Sequence, residues 1–367
     1  MTKIGFIIKG KKEGSEYHYA NVKPFVDLAY GVSLIGEEPI LFIEQNEVQL
    51  MEKINSISNK KISLVFYQMS NIFALIKQNK VDFLLVDDNM ELMEKILKLD
   101  DNSIKKAVYI QYLFGVNTNK KSKRKTSIKL NIGSNFPWKF IIIKYKKLIS
   151  KFDFIIPNSQ TCSYILRQFY DITPCNTVYP PVGVDMRNII KYKPKDKSKN
   201  GLLVFAGDIK NDHFSRNILK ELREFKLHVD EPIRLFVSNS ASSKFFLNNG
   251  FDVLSKLPVE DLINLYLTSK VTYVPTTYEL FGYVGAESLL CGTNVILDVY
   301  HPFLECVPKE SNAVRISNPN SKIYKIFLEF EKNPVNMQLA KYSIETIYSA
   351  EESAKGLLSV FNSVDSY

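Results

Sequence analysis

In the stretch "PTTYELFGYVGAESLLCGTNVI", Pro275 to Ile296, two acids stand eight positions apart, Glu279 before "FGYVG" and Glu287 after it. Each carboxylate can accept hydrogen bonds from hydroxyl groups. A helix that starts between them offers unpaired backbone N–H groups to an anion. Two such grips suit a ligand with hydroxyls at both ends and a diphosphate in the middle, the shape of a nucleoside diphosphate sugar. The competing reading makes both acids ordinary charges on a solvated helix.

The neighbouring pattern says how the two acids would be held. "VTYVP" reads as a buried strand that Pro275 ends, so Glu279 falls in the loop beyond its carboxyl end. "FGYVGAESLLCG" reads as a helix, with Gly282, Gly285 and Ala286 small enough for close approach and Gly292 as the C-terminal stop. The amides of Phe281 to Val284 then form the anion site, and Glu287 lies about one turn inside the helix. "TNVILD" resumes the sheet as its last strand.

Apolar segments alternate with helical ones along the rest of the chain. "KIGFIIK", "EPILFIE", "DFLLVDD", "KAVYIQYLF" and "FDFIIPNS" read as strands of an N-terminal sheet. "NVKPFVDLAYGVSLIGEE" and "NMELMEKILKL" read as helices, the first stopping at Gly36. "TVYPPVGVDMRNIIKYKPKDKSKNG" has the Pro, Lys and Gly content of a linker. The alternation then restarts with "GLLVFAG", "SRNILKELREF", "IRLFVS", "FDVLSK" and "PVEDLINLYLTS", the last a helix with Pro258 in its first turn. The tail from Asn336 reads as helical throughout. Strands of near-continuous apolar character with helices between them imply parallel sheets covered on both faces.

The expected organisation is α/β: two Rossmann-like, doubly wound domains facing each other across a cleft, with ligands at the carboxyl ends of the strands. The expected boundaries are 1–185 for an acceptor-binding domain, 186–345 for a nucleotide-sugar-binding domain, and 346–367 for a C-terminal helix packing back on the first. A chain of 367 residues with 45% apolar and 24% charged residues can bury two such cores.

No stretch approaches the roughly 20 apolar residues of a membrane span, and the apolar run at the start is too short for a signal segment. A cytoplasmic protein is expected, with peripheral membrane contact as an option. Cys162, Cys175, Cys291 and Cys306 form no CxxC pair, which suits reduced thiols, and His18, His213, His228 and His301 show no metal-ligand spacing.

These stretches resemble, in order, the retaining glycosyltransferases of family 4, which have the GT-B fold and an E-x7-E signature. "VDLAYGVSLIGEEPILFIE", "FDFIIPNSQTCSYIL" and "YPPVGVD" carry part of the resemblance, and Val253 to Ile296 carries most of it. The resemblance implies that Glu279 contacts hydroxyls of the donor sugar. It gives phosphate and sugar to Phe281, Gly282, Tyr283 and Val284, and the ribose to Glu287. Gly14, Gly207 and Leu257 are further candidate nucleotide-sugar contacts, as are Lys210 and Arg216, with a solvated loop lysine as the competing reading of Lys210. Glu279, Gln111 and His18 are the candidate catalytic residues, with an ordinary helix-start residue as the competing reading of His18. No metal or other cofactor is implied.

The chain departs from the family in two places. Where the family has an Arg and a Lys after the first strand of the second domain, this chain has Asp208 and His213, so Lys210 and Arg216 are the cations left to face a leaving diphosphate. Where the family often has a His, Gln111 stands; it can hydrogen-bond but cannot carry a proton. These departures sustain an alternative, a GT-B-like binding or regulatory protein with weak turnover. Gly10 and Gly14 lie in a loop expected to face the donor. "VDDN", with Asp87 and Asp88, is read as a strand-end acid pair rather than a metal motif.

Net charge is +9, but Asn117 to Lys151 holds eleven Lys or Arg and no acid, which leaves the remainder at −2. This segment contains Trp138, the chain's single Trp. Three readings stand: a loop followed by a core helix with a solvated Lys face, a contact with an anionic membrane carrying lipid-linked acceptors, and a nucleic-acid contact of a transferase that modifies it.

Overall fold

The computed structural model describes residues 1–9, 22–44, 62–111, 136–184, 186, 199–207, 217–237, 240–255, 257–276, 279, 281–317 and 320–363; for 136–141, 207 and 241 it describes the backbone alone. The chain forms two compact units. Of the described residues, one unit contains those up to Val184 together with those from Ile347 on, and the other contains those from Met186 to Thr346.

In the first unit the strands are β1 (Lys3–Ile8), β2 (Glu38–Glu44), β3 (Ser63–Tyr67), β4 (Phe83–Asp87), β5 (Lys105–Ile110) and β6 (Phe154–Pro157). The helices are α1 (Lys23–Leu34), α2 (Ile72–Asn79), α3 (Met90–Ile96), α4 (Phe136–Ile149) and α5 (Gln160–Tyr170). The sheet is parallel in the order β3-β2-β1-β4-β5-β6. Strand order reverses between β1 and β4, which makes this a doubly wound sheet with a switch point there. Phe6, Phe25 and Tyr109 meet edge to face at 6.5 and 5.9 Å in its core. Side chains start α3 and α5: Asn89 accepts from the Leu92 N–H, and Ser159 from that of Cys162.

The second unit repeats the plan. Its strands are β7 (Leu202–Gly207), β8 (Ile233–Val237), β9 (Val253–Leu254), β10 (Val271–Val274), β11 (Asn294–Leu297) and β12 (Val314–Ile316). Its helices are α6 (Ile218–His228), α7 (Ser240–Leu247), α8 (Val259–Thr268), α9 (Tyr283–Leu290), α10 (Ile323–Lys332) and α11 (Met337–Ile347). The order is β12-β11-β10-β7-β8-β9, again all parallel, with the switch point between β7 and β10.

Three details differ from the sequence reading. "TNVILD" is not the last strand, because β12 pairs beyond it through Ala313–Ser317. The tail is two helices: α11 ends at Ile347 and α12 spans Ala350–Asn362, its first turn closed by the Ser349 hydroxyl accepting from the Glu352 N–H. Pro258 sits at the cap of α8, just outside the first turn.

α12 belongs to the first unit. It packs along α1, where Gly31 lets the chain approach so closely that an added Cβ would stand 2.1 Å from the Ala350 carbonyl oxygen. Phe361 stacks on Phe83 at 4.2 Å, and the Val182 N–H donates to the Tyr348 carbonyl. No described helix is long and apolar enough to cross a membrane.

Candidate functional site

The candidate site lies at the switch point of the second sheet, where β7 and β10 end. β10 is buried along its whole length and stops at Val274, before Pro275. Thr276 and Glu279 follow in the loop, and Phe281 leads into α9. Gly282 caps α9 at φ +94° and ψ +56°, a left-handed conformation that side chains other than glycine rarely adopt. Its neighbour is His301: an added Cβ would lie 2.5 Å from Nδ1 of that ring. Glycine is therefore required here by both the backbone angle and the lack of room.

α9 is tied to the sheet on its inner face. The Ser288 hydroxyl meets Thr272 Oγ1 at 3.0 Å, and both residues are fully buried. At the far end Lys199 reaches the unpaired carbonyls, donating to Cys291 O at 3.0 Å, Gly292 O at 2.5 Å and Thr293 Oγ1 at 2.8 Å. Burial pushes the Lys199 ammonium down to about 8. With its C-terminus pinned, α9 presents its first amides at the carboxyl edge of the sheet.

Glu279 is half-buried, three residues beyond Thr276. Burial raises its carboxyl to about 7. Thr276 Oγ1 lies 3.1 Å from Nε2 of His301. Glu287, on the next turn of α9, is half-buried too, and the Tyr266 hydroxyl reaches it at 3.4 Å. Tyr266 is stacked on Phe205 at 5.6 Å, one strand residue before Ala206 and Gly207. Leu257 is half-buried at the entry to α8.

Of the residues singled out by sequence, Gly207, Leu257, Glu279, Phe281, Gly282, Tyr283, Val284 and Glu287 all fall in this unit. Gly10, Gly14, His18, Asp208, Lys210, His213 and Arg216 lie outside the described residues. Thr276, Tyr266, Lys199 and His301 were not picked out for this site. His301 carries a visible signal, a lone His just past the strand after the helix, but only its pairing 25 residues back to Thr276 gives that signal meaning.

The first unit carries its own polar edge. Gln111 follows β5, is 8% exposed, and its Nε2 has no hydrogen-bond partner among the described residues. Asp87 ends β4; burial raises its carboxyl to about 6 against the pull of Asp88 and Lys9. Asp88 is buried and accepts from the Tyr145 hydroxyl at 3.0 Å. Among the described residues no group of three or more His, Cys, Asp or Glu stands together as a metal set. In the basic segment, Tyr145, Leu148 and Ile149 of α4 face inward and Lys144 pairs with Glu94.

Two doubly wound parallel units in one chain, with this site at the switch point of the second, place the molecule in the GT-B fold class. Residues 197–346 match the family described as glycosyl transferases group 1, so the match covers the unit that carries the site. A glycosyltransferase from Rickettsia africae is similar in structure, with a TM-score of 0.69 at 12% identity over 100% of this chain and 99% of that one. S. aureus TarM, solved with fondaparinux, alpha-GlcNAc-glycerol and UDP, is similar with a TM-score of 0.67 at 12% identity over 99% and 100%. UDP-GlcNAc 2-epimerase from Neisseria meningitidis, bound to UDP-GlcNAc, is similar with a TM-score of 0.60 at 10% identity over 98% and 100%. No curated protein matches the sequence. Identities this low speak for the fold, and the family match adds support for glycosyl transfer.

Proposed function

We propose that this protein is a retaining glycosyltransferase, moving a sugar from a nucleoside diphosphate donor to a hydroxyl of a glycan, glycolipid or similar acceptor without a bound metal ion. One observation carries the reading. The family match over residues 197–346 coincides with Glu279 and Glu287 bracketing the N-terminus of α9 at a switch point. Glu279 takes hydroxyls of the donor sugar, the amides from Phe281 to Val284 take the diphosphate, and Glu287 takes the ribose. Lys210 and Arg216 are the proposed cations for the leaving group, and acceptor recognition falls to the first unit with Gln111 and His18.

In the proposed step the bond from the anomeric carbon to the phosphate oxygen breaks, and its electron pair leaves with the diphosphate. The acceptor oxygen bonds to the same face of the sugar, and its proton passes to the departing phosphate. No protein nucleophile is needed, so Gln111 in place of a His is compatible with turnover.

A panel of nucleotide sugars screened by thermal shift, followed by transfer assays, tests this reading. Retention requires an α-linked donor to give an α-linked product in the proton NMR spectrum. An inverted product would overturn the stereochemistry. Binding without transfer or hydrolysis would favour the binding-protein reading that Asp208 and Gln111 support. Release of a sugar changed at C2 would favour an epimerase, in keeping with the similarity to UDP-GlcNAc 2-epimerase. Co-sedimentation with anionic vesicles and with RNA tests the basic segment.

A further inference from the structure

The short helix α9 offers its first amides to the ligand at one end and is closed at the other by one side chain. Gly292, at φ +71°, turns the chain out of the helix. The Gly292 N–H then donates to Leu289 O and the Thr293 N–H to Ser288 O, each at 2.9 Å. The carbonyls of Cys291 and Gly292 come next, and Lys199 meets both.

The backbone around Lys199 is fixed by contacts outside α9. The residue stands three positions ahead of β7. The Asn200 N–H donates to the carbonyl of Thr268, the last residue of α8, at 2.9 Å, and the Gly201 N–H to Glu231 Oε2 at 2.7 Å. The Arg234 guanidinium donates to the Asn200 carbonyl at 2.9 Å. From this anchored base the lysine side chain reaches the end of α9 and Thr293.

Counting protons fixes its charge. An ammonium has three N–H donors, and a neutral amine has two. Cys291 O, Gly292 O and Thr293 Oγ1 take all three. Thr293 has one proton, which goes to the Tyr266 carbonyl, with that of Ser269 3.2 Å away, so its oxygen accepts from Lys199. A shift to about 8 leaves the ammonium the main form at neutral pH. Cys291 beside it stays a thiol, raised by burial to about 12, with Glu287 of the same helix acting in the same direction. From α11 the other charge acting on Lys199 is Lys341.

The same contacts set α9 against α8. Thr293 joins Lys199 to the Tyr266 carbonyl, and the Tyr266 hydroxyl donates to Glu287 Oε2 at 3.4 Å. One lysine thus links the closed end of α9, the end of α8 and the ring that reaches Glu287.

We propose that Lys199 is a positioning residue of the nucleotide site: its ammonium fixes α9 along its axis against α8, and so holds the first amides of the helix and Glu287 where they meet the ligand. This rests on the reading of α9 as the diphosphate and ribose site. The family match reaches across Lys199, but neither the match nor the resemblance gives this residue a role.

Two measurements test the proposal on the full chain. The first is calorimetry with UDP, GDP, ADP and dTDP. Lys199→Met is expected to weaken diphosphate binding about tenfold, the size of one lost charge-assisted hydrogen bond. Lys199→Arg is expected to recover most of that loss. As pH rises through about 8 the wild type should lose affinity, because the amine gives up its third donor. Lys199→Arg, which keeps its charge, should not. The ligand's own ionisation is common to both proteins and cancels in the comparison. Gly31→Ala, which strains the first unit, controls for stability and is expected to leave Kd unchanged.

The second measurement is hydrogen–deuterium exchange. Lys199→Met is expected to speed exchange across residues 283–293 and to leave α6 as in the wild type. If Lys199→Met binds as tightly as the wild type, or if Gly31→Ala weakens binding as much, the lysine is a structural support only and the proposal fails. A wild type that keeps its affinity through pH 8 as Lys199→Arg does also overturns it. If the wild type binds none of the diphosphates, the donor-site reading fails and the proposal falls with it, and faster exchange in α9 then marks Lys199 as a staple of the fold.

Discussion

Glu279 and Glu287 share one helix entry, yet they should fail differently when removed. Glu287→Ala is expected to weaken nucleoside diphosphate binding by about 1.5–3 kcal/mol, the size of a charge-assisted hydrogen-bond loss. That is roughly ten- to a hundredfold in affinity by calorimetry. Glu279→Ala is expected to leave that affinity nearly intact and to depress transfer sharply, because a misoriented sugar loses its alignment. Glu279→Gln should be milder. Glu279 and His301 predict opposite pH effects on stability. His301 falls from 6.5 to about 3, so its contribution is complete above pH 6.5 and is lost as pH falls toward 3. Glu279 rises from 4.5 to about 7, so its contribution is complete below pH 4.5 and is lost as pH rises through 7. Urea midpoints should therefore show His301→Gln flattening the acid side of the profile and Glu279→Gln flattening the neutral side. The two glutamates were legible in the sequence because their spacing is local. Thr276 and His301 were not, since their contact joins two loops across an intervening helix and strand.

At the scale of elements, the strands most easily read were the continuous apolar runs: β1, β2, β4, β5, β7, β10 and β11. The elements that escaped were short or mixed. β12 has three residues with Arg315 at its centre, and β3 is an edge strand with one fully buried side chain, Tyr67. α10 did carry the signal, with Ile323, Ile326, Phe327 and Phe330 buried at helical spacing. The break between α11 and α12 was also written locally, in the Ser349-x-x-Glu352 capping pattern. Gly31 shows what spacing alone cannot reveal, because its role comes from an element more than 300 residues away. Alanine normally helps a helix interior. Here Gly31→Ala is expected to destabilise the protein by about 1–3 kcal/mol, the usual cost of overpacking, as its Cβ meets the Ala350 carbonyl. Chemical denaturation measures this directly, and an unchanged midpoint would mean that α12 shifts freely along α1.

For the whole molecule, two sheets built to one strand order place the family match, both glutamates and α9 in the second unit alone. Turnover of the donor is expected to persist in excess chelator; activity abolished by EDTA and restored by manganese would refute a metal-free step and give Asp87 and Asp88 a new role. The placement of α12 has a consequence for biosynthesis. Its residues leave the ribosome after the whole second unit, and they cover Phe83 and the α1 face of a sheet whose strands emerged before that unit. The second unit can close before α12 has been made, whereas the first waits with an uncovered apolar face until α12 emerges. A chain stopped after Thr346 should keep a protease-resistant second unit and lose the first to digestion, and in the cell such a chain would depend on chaperones that a chain carrying α12 sheds once the helix docks.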